Sequence, residues 1–373
     1  LAEGLSEDIV TGLSRFSYLR VIARSLTLRF TGETSDLRAI GREVGARYLL
    51  EGSLRQAGTM LRVAVQLVDA STGAHLWAES YDRQFRTEDI FALQDELAPR
   101  VVATVADPHG ILPQSLSEAV RLKPREQLSP YEAMLRSLIY HRRATAEALA
   151  DALDVLEGAV QKAPDYAEAW ALMAGFYAQD YGQGFNLHDD PLVRGSIAAR
   201  KAVELAPSNH LAWFGLAQVA FFQKEFQSFR HAAERAAALN PLDGNSIAFL
   251  GELLLYGKET ERGLALIARA KQLNPHHPGW YWYANFYHAY RQRDYRAALD
   301  FVRKVNLPGH WAEHAFIAAA CGQLGERETV AKSVQDLLNL RPDFIARVRR
   351  DCAKWWDAEY IELLLDGWRK AGL

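Results

Sequence analysis

Two different hydrophobic periodicities divide the chain of 373 residues into two parts. Between Leu61 and Leu67, apolar residues alternate with Arg62, Ala64 and Gln66, which is the period of a half-buried strand. From about residue 129 onward, stretches such as ADALDVLEGAVQKAP and FRHAAERAAALNP place apolar residues three and four apart, as in an amphipathic helix. Each of these stretches stops at a proline, which cannot continue a helix. The pattern predicts an α+β domain followed by a mostly helical region.

Prolines recur at a nearly constant distance through the helical part. The six steps between them are 34, 43, 34, 34, 33 and 34 residues, which is a 34-residue period with one insertion. Most units carry a bulky residue six positions after the proline and a small one ten positions after it, and the insertion falls near residues 179–190, a predicted loop. The prolines are Pro130, Pro164, Pro207, Pro241, Pro275, Pro308 and Pro342.

This arrangement resembles the tetratricopeptide (TPR) repeat, which has a bulky residue early in helix A, a small residue where helices A and B meet and a proline closing helix B. The resemblance covers residues 129–373 and implies a mostly α superhelical solenoid of about six helix-pair repeats with a C-terminal capping helix. Ser129 and Glu132 have the spacing of a capping box, so the first helix is expected to begin at Pro130.

In TPR proteins, helix A lines a concave groove, and we expect this groove to bind a peptide or protein partner. Core packing is the competing interpretation for the aromatic stretch WYWYANFYHAY, and we favour it, because seven exposed rings would exceed the apolar patch of an ordinary monomer. Counted along helix A from each proline, the predicted groove contacts are Phe214, Gln218, Phe221, Asn245, Glu252, Trp282 and Phe286.

Residues 1–107 are predicted to form an α+β domain with a sheet of three to four strands. Helices are expected at residues 5–16 and 36–45, and a short strand at LRVIAR, residues 19–24. A three-strand antiparallel meander is expected over residues 47–82, followed by a helix at 87–106 that covers one face of the sheet. Residues 108–128, which contain several prolines, are predicted to be a linker with a short helix at 114–122.

The segments GLSEDIVTGLSRF, GREVGARYLLEGSLR, VAVQLVDASTGAHLWAESYDR and DIFALQDEL are similar to the TolB-amino-terminal-like domain that bacterial signalling proteins place before TPR repeats. This resemblance implies a regulatory region that follows a class III adenylate or guanylate cyclase domain or, alternatively, a winged-helix DNA-binding domain. Family members carry an apolar strand just before the position of Leu1, so the domain is expected to lack its first strand here. The open sheet edge could then be filled by another chain, as in a homodimer.

Composition and charge narrow the function classes. The net charge of −3 and the pI near 6.5 give no field that would hold nucleic acid. Cys321 and Cys352 have no CxxC partner, which favours reduced thiols and a cytoplasmic location. No apolar run approaches the roughly 18 residues of a membrane span. The basic cluster RVRRD at residues 347–351 is expected to be a solvated helix face, with an acidic partner as the alternative.

Histidine motifs raise the question of a metal. HWAEH spells the inverted zinc-peptidase pattern H-x-x-E-H, in which His310 and His314 share a helix face. We expect structural histidines, because His314 occupies the bulky repeat position and no third ligand follows at a suitable spacing; a zinc metallopeptidase using Glu313 is the alternative. His277 and His288 lie about 16 Å apart along a helix, too far to share one zinc. The chain is therefore expected to be non-catalytic, without a cofactor.

Overall fold

The computed structural model describes residues 1–27, Phe30 and 36–373, and it divides into two compact units, Leu1–Leu122 and Lys123–Leu373. The first unit combines one antiparallel sheet, in the order β1-β2-β3, with several helices. Its elements are α1 Ala2–Leu13, α2 Arg24–Thr27, α3 Leu37–Val44, β1 Tyr48–Ala57, β2 Met60–Asp69, β3 Ala74–Gln84, α4 Ile90–Ala106 and α5 Ile111–Val120.

The sheet confirms the alternation predicted for its central strand. The apolar side chains at positions 61, 63, 65 and 67 of β2 are between 1% and 5% exposed, so one face of the strand is buried. β1 pairs with β2 from Tyr48 opposite Asp69 to Ala57 opposite Met60. This register leaves a two-residue turn in which Gly58 has a φ of +59°, a conformation that glycine reaches without a Cβ penalty.

The helices of the first unit begin and end largely where their capping residues predict. The carboxylate of Asp36 accepts a hydrogen bond from the backbone N–H of Arg38 (3.0 Å) at the start of α3, and Gly45 ends that helix with a φ of +68°. α4 lies against β3, where the guanidinium of Arg100 stands 5.2 Å from the ring centroid of Tyr81. The predicted helix over residues 87–106 is therefore present, with a 3₁₀ turn at its start.

The strand predicted at LRVIAR is wrong. Residues 19–23 have no regular structure, and Arg24–Thr27 is a single helical turn. A strand exists only where another strand accepts its backbone hydrogen bonds. Here a tight turn bonds the N–H of Leu19 to the carbonyl of Phe16 (2.9 Å), and the described sheet contains only β1, β2 and β3. Local β propensity alone did not produce a strand here, because these residues do not pair with the described sheet.

The second unit contains the predicted array of helix pairs. A capping box begins it, because Ser129 accepts from the N–H of Glu132 (3.2 Å) and Glu132 accepts from the N–H of Ser129 (2.9 Å). The helices are α6 Pro130–Ser137, α7 Tyr140–Arg143, α8 Ala146–Lys162, α9 Ala167–Gln183, α10 Pro191–Leu205, α11 His210–Phe222, α12 Phe226–Leu239, α13 Gly244–Tyr256, α14 Thr260–Leu273, α15 Tyr283–Arg291, α16 Tyr295–Arg303, α17 Trp311–Leu324, α18 Arg327–Leu340, α19 Phe344–Trp355 and α20 Ala358–Lys370.

The repeat signature matches the positions of these helices. Five B helices, α8, α10, α12, α14 and α18, each end two residues before a proline of the series, as the fixed φ of proline requires. The predicted small residues lie at close helix contacts: Ala174, Ala217 and Ala318 are fully buried, and a Cβ on Gly251 would stand 2.8 Å from the backbone oxygen of Gly263. Larger side chains at these positions would push the two helices of a pair apart.

The segment between the predicted domains contains a helix of its own. α5 packs on α4 within the first unit, with Leu112 and Val120 buried. The boundary between the two compact units falls after Leu122, inside residues 108–128. In the part of the chain that the structure describes, no helix is both long enough and apolar enough to span a bilayer.

Candidate functional site

The structure encloses six of the seven side chains that we predicted for an open groove. Trp282 differs from the other six because part of its ring surface is exposed. It is the member of the set that can meet a partner without a rearrangement of the helices. The exposed fractions of the other six are 8% for Phe214, 4% for Gln218, 1% for Phe221, 5% for Asn245, 7% for Glu252 and 1% for Phe286.

The chain's own residues 347–356, which we call the closing segment, cover the C-terminal ends of α9 and α11. Trp355 packs edge-on against Phe222, with 4.7 Å between ring centroids, and donates its indole N–H to the carbonyl of Gly182 (2.9 Å). Lys354 donates to the carbonyl of Tyr181 (2.8 Å). A helix C-terminus carries partial negative charge, so a lysine is favourable there. The last helix pair thus contacts α9 and α11, the A helices of the second and third repeats.

A second tryptophan of the closing segment joins a wider aromatic cluster. The ring of Trp356 lies 5.7 Å from Tyr256, 5.8 Å from Phe316 and 5.6 Å from Tyr360, measured between centroids. These rings belong to α13, α17 and α20, so the cluster ties together helices of three different repeats. Edge-to-face pairs of this kind contribute about 0.5–1.5 kcal/mol each beyond their buried area.

The groove positions predicted for Phe221 and Phe286 need correction. Phe221 packs between Phe222 and Phe229, at 5.3 and 5.5 Å, and Phe286 stacks on Phe316 at 4.6 Å. Both rings are 1% exposed, so neither can contact a partner in this structure. Counting from the prolines gives only the angular position of a residue on its helix, and neighbouring repeats have filled that side with aromatic rings. The favoured alternative of core packing therefore holds for Phe286.

Glu252 is a buried acid among these aromatic side chains. Its carboxylate accepts a hydrogen bond from the hydroxyl of Tyr256 (2.6 Å). Burial raises the pKa of Glu252 to about 7, and the hydrogen bond from Tyr256 opposes that rise. A carboxyl group with this pKa is partly protonated at neutral pH. Its charge state therefore changes within the physiological pH range.

Two lysines lie against the indole of the partly exposed Trp282. The ammonium nitrogen of Lys271 is 3.3 Å from the centroid of the indole, and that of Lys304 is 4.6 Å from it. Phe301 stacks on the same indole at 5.7 Å with an interplanar angle of 14°. Cations are attracted to the face of an aromatic ring, and tryptophan is the strongest partner. The ring therefore gathers two positive charges at one place.

No carboxylate in the described residues forms an ion pair with Lys271 or Lys304. Lys271 instead donates to the side-chain oxygen of Asn285 (2.5 Å), a neutral acceptor. Burial, aided by the positive charge of Lys304, lowers the pKa of Lys271 to about 8. The pKa of the neighbouring His277 is lowered as well, first by burial and also by Lys271. The surroundings of Trp282 are thus cationic and lack a counter-charge.

The histidines of HWAEH have structural partners. His314 bonds through Nε2 to the carbonyl of Pro308 (2.9 Å), six residues earlier. Trp170 and Trp213, at the equivalent positions of other repeats, make the same contact by donating their indole N–H to the carbonyls six residues before them (2.8 Å each). His314 therefore occupies the bulky repeat position and bonds to the carbonyl of the repeat proline, as the two tryptophans do in their own repeats.

The rest of this motif also lacks the arrangement of a metal centre. Burial lowers the pKa of His310 to about 4, and the nearby Arg341 adds to the effect. The carboxylate of Glu313 accepts the backbone N–H of Leu307. Over residues 1–27, Phe30 and 36–373, no group of three or more His, Cys, Asp or Glu side chains is placed to hold a metal ion.

A buried set of Ser246, Asp243 and His210 has the residue types of a hydrolytic triad but not its order. Both Ser246 Oγ (2.6 Å) and His210 Nε2 (2.9 Å) bond to the same oxygen of Asp243. Burial opposes the ionisation of Asp243, yet the hydrogen bonds from His210 and Ser246 lower its pKa. A nucleophilic serine needs the histidine as its own base. Here the aspartate caps α13 instead.

The sequence contained a signal for the lysine pair that we missed. Lys271 and Lys304 each stand four residues before a proline of the repeat series, Pro275 and Pro308. Equivalent positions of consecutive repeats become neighbours when the repeats stack.

The prediction for the basic cluster RVRRD at residues 347–351 was only partly right. Arg349 and Arg350 are exposed, as expected of a solvated helix face, but Arg347 donates to the carbonyl of Gly184 (3.2 Å).

Comparison with known proteins gives two sequence matches. Residues 1–100 match a family model described as the second domain of HilA/YgeH-like transcriptional regulators. The chain is also 32% identical over 234 residues to Putative adenylate cyclase 3 of Rhizobium meliloti (strain 1021). This alignment covers 62% of the chain and 39% of the relative, so the chain spans about two-fifths of the length of that protein.

Three solved structures align with the chain over nearly their whole length, and two of them are described as tetratricopeptide repeat proteins. YrrB, described as a TPR protein with an unusual peptide-binding site, covers 53% of this chain and 97% of its own, with 17% identity and a TM-score of 0.33. PilF of Pseudomonas aeruginosa aligns with 65% of this chain and over 99% of its own length, with 16% identity and a TM-score of 0.40. A tetratricopeptide repeat protein of Parabacteroides merdae aligns with 64% of this chain and over 98% of its own length, with 14% identity and a TM-score of 0.38.

Proposed function

We propose that the chain is a non-catalytic regulatory and protein-interaction module of a bacterial signalling protein, most simply the C-terminal part of an adenylate or guanylate cyclase. The observation that carries this proposal is the 32% identity with the Rhizobium relative over 62% of the chain. In this proposal the longer parent protein carries a class III nucleotidyl cyclase domain, and the present residues regulate it. The TolB-like assignment of residues 1–107, the linker at 108–128 and the cytoplasmic location remain predictions within it.

The second candidate is the regulatory part of a winged-helix TPR transcription regulator. It is favoured by the match of residues 1–100 to a domain of HilA/YgeH-like transcriptional regulators. The coding sequence upstream of Leu1 separates the two candidates. Paired metal-binding aspartates of a cyclase domain there would support the first, and a winged-helix domain would overturn it in favour of the second.

We place the partner contact at Trp282 and the surface around it, and no longer at a continuous groove. The partner is a peptide or a protein segment. Phe214, Gln218, Asn245 and Glu252 stay in the proposal only as residues that a rearrangement of the helices would have to uncover, because all four are at most 8% exposed. Tryptophan is enriched among the residues that dominate binding energy at protein interfaces.

Alanine at Trp282 is expected to weaken partner capture at least about tenfold, equivalent to about 1.4 kcal/mol, while the chain stays folded. The measurement is quantitative mass spectrometry of proteins retained from a bacterial lysate by wild type and variant. Trp213→Ala is the control, because Trp213 is also a partly exposed tryptophan; it lies within α11, whereas Trp282 lies in the 3₁₀ turn just before α15. If Trp282→Ala mainly lowers the melting temperature, or if both variants lose the same partner equally, the contact assignment fails.

The zinc peptidase alternative at His310, Glu313 and His314 has a direct test. We expect elemental analysis of the purified chain to find less than one-tenth of a zinc ion per chain, since His314 is already bonded to the carbonyl of Pro308. Zinc at one equivalent per chain that disappears in His314→Ala would contradict the non-catalytic proposal. His231→Ala is the control, because it also removes one histidine but in a different repeat, where His231 packs against the ring of Trp213. Zinc content should be the same in this variant as in wild type.

A homodimer through the first unit is a further element of the proposal. β1 and β3 are the outer strands of the described sheet, and each has one edge without a strand partner among the described residues. Such an edge can pair with a second chain. Sedimentation equilibrium of the purified chain decides the matter: a concentration-dependent mass of two chains supports the dimer, and a constant mass of one chain removes it.

A further inference from the structure

The surface around Trp282 concentrates positive charge without a matching negative group. Lys271 and Lys304 contact one indole at 3.3 and 4.6 Å. Because both distances are measured to the same centroid, the two ammonium nitrogens lie no more than about 8 Å apart. In the described part of the chain neither of them is paired with a carboxylate, and the hydrogen-bond acceptor of Lys271 is the neutral amide of Asn285.

Several other lysines and arginines of the helical unit do have a carboxylate partner. Lys123 is paired with Glu132 at 2.8 Å, Lys370 with Asp366 at 2.7 Å and Arg296 with Glu326 at 2.5 Å. Two like charges held close together repel each other, and an anion bound between them offsets that repulsion. Half-burial of Lys271 makes the missing counter-charge more costly, because water screens a buried group less than an exposed one.

We propose that Lys271 and Lys304, seated on Trp282, form an oxyanion site that binds a carboxylate side chain of an acidic segment in a protein partner. Two charge-assisted hydrogen bonds of about 2.8 Å each, together with the width of a carboxylate, can span the separation of the two nitrogens. The stacked pair of Trp282 and Phe301 supplies an apolar surface on which the aliphatic part of a glutamate or a neighbouring apolar residue can pack.

The chemistry of the site favours a carboxylate over a phosphate group. Lysine also binds phosphate, but phosphate sites in proteins commonly add clusters of backbone N–H groups or the planar fork of arginine. Here the donors are two ammonium groups on flexible stems, and the guanidinium of the adjacent Arg303 is directed to Glu326 (3.8 Å). The inference rests on the proposed interaction role, since it names the chemistry of the partner that the Trp282 surface accepts.

The site arises from the repeat itself. Lys271 and Lys304 are both four residues before the proline that ends a repeat, and Trp282 lies seven residues after Pro275, between them. Stacking of the two repeats brings both lysines to the same indole. A neighbouring repeat without a lysine at this position, such as the one ending at Pro241 with Ala237, cannot form the same pair.

The test measures fluorescence anisotropy of three fluorescein-labelled peptides with the full chain. One peptide contains Glu-Glu-Leu-Glu, the second has glutamine in place of every glutamate, and the third has phosphoserine in place of every glutamate. We expect the glutamate peptide to bind, the glutamine peptide to bind at least tenfold more weakly, and the double variant Lys271→Met with Lys304→Met to lose at least tenfold in affinity for the glutamate peptide. Methionine preserves the stem that packs on Trp282.

The control is Lys332→Met, which removes one positive charge from an exposed position of α18, compared with Lys304→Met, which removes one from the site. Equal binding by these two single variants, or equal binding of the glutamate and glutamine peptides, overturns the site. Tighter binding of the phosphoserine peptide than of the glutamate peptide, also lysine-dependent, overturns the carboxylate assignment in favour of phosphate.

The same variants distinguish this inference from the broader proposal. If the lysine double variant still captures a Trp282-dependent partner from lysate, the oxyanion site fails and the interaction role survives. If the glutamate peptide binds in a lysine-dependent way but no Trp282-dependent partner is captured, the site is supported and the interaction role fails. Thermal melting of every variant is recorded first, so that loss of binding through unfolding is recognised.

Discussion

Glu252→Gln is expected to stabilise the helical unit in a pH-dependent way. The carboxyl of Glu252 ionises at an ordinary pKa of 4.5 when the chain is unfolded and at about 7 when it is folded. Below pH 4.5 both states hold the proton, so burial of the group costs little. As the pH rises from 4.5 through 7, only the unfolded state gains from ionisation, and the folded state loses roughly 3 kcal/mol of stability. Glutamine removes this loss.

The measurement is urea unfolding followed by circular dichroism at several pH values between 4.5 and 8. The stability difference between Glu252→Gln and wild type should grow from near zero at pH 4.5 to roughly 3 kcal/mol at pH 8. Glu261→Gln, at an exposed position at the start of α14, is the matched control and should leave the pH profile unchanged. A Glu252→Gln difference that is constant with pH would show that the carboxyl does not titrate in this range.

The acid also bears on how the closing segment is held. Tyr256, which donates to Glu252, packs edge-on against Trp355 at 6.2 Å and Trp356 at 5.7 Å. A negative charge on Glu252 therefore develops next to a tyrosine that contacts both tryptophans of the closing segment. The packing of the closing segment is thus linked to the charge of one buried carboxyl group.

The elements of the fold could be predicted from the sequence where the signal is local or periodic. The alternation around Val63 and Val65 located the central strand, and the 34-residue spacing of prolines located the ends of the B helices. The alternation acts within one strand, and each proline ends the helix just before it, so neither effect depends on distant parts of the structure. LRVIAR had a local signal as well, but a strand also needs a partner, and no short pattern reports whether a partner exists.

The candidate site was harder to predict from the sequence than the fold. The contact between Trp355 and Gly182 joins residues 173 positions apart, and it depends on the small rotation that accumulates from repeat to repeat. No pattern within one repeat contains that rotation, so the burial of Phe221 and Phe286 could not be predicted from their helix positions. Trp282 was predicted on an A helix but lies in the 3₁₀ turn Gly279–Trp282 just before α15. Its lysines could have been found by comparing equivalent positions of consecutive repeats.

Gly322→Ala is expected to destabilise the helical unit by about 1–3 kcal/mol, near the upper end of that range. α17 and α20 cross at two glycines, and a Cβ on Gly322 would press against the backbone oxygen of Gly367 and stand 2.9 Å from the backbone nitrogen of Ala371. The obstacle is backbone, so the two helices must separate rather than adjust a side chain. The measurement is the midpoint of thermal unfolding, which should fall by about 2–4 °C per kcal/mol.

Gly158→Ala is the matched control and should have the opposite sign. Gly158 lies inside α8, and a Cβ there would meet nothing within 4 Å. Alanine at such a helix position stabilises by about 0.5–1 kcal/mol, because it reduces the freedom of the unfolded chain and favours the helix. The two variants make the same chemical change, so helix propensity alone would stabilise both. Equal stabilisation by Gly322→Ala and Gly158→Ala would show that α20 does not pack closely on α17.

Separation of α20 from α17 should also reach the far end of the helical unit. α20 carries Tyr360, which packs against Trp356, and the adjacent Trp355 donates to the carbonyl of Gly182 at the end of α9. In Gly322→Ala, hydrogen exchange should therefore accelerate at the C-terminal ends of α9 and α11 as well as in α20. Faster exchange confined to α17 and α20 would mean that the closing segment holds its position without them. Faster exchange at α9 would show that α20 supports the contact between the closing segment and α9.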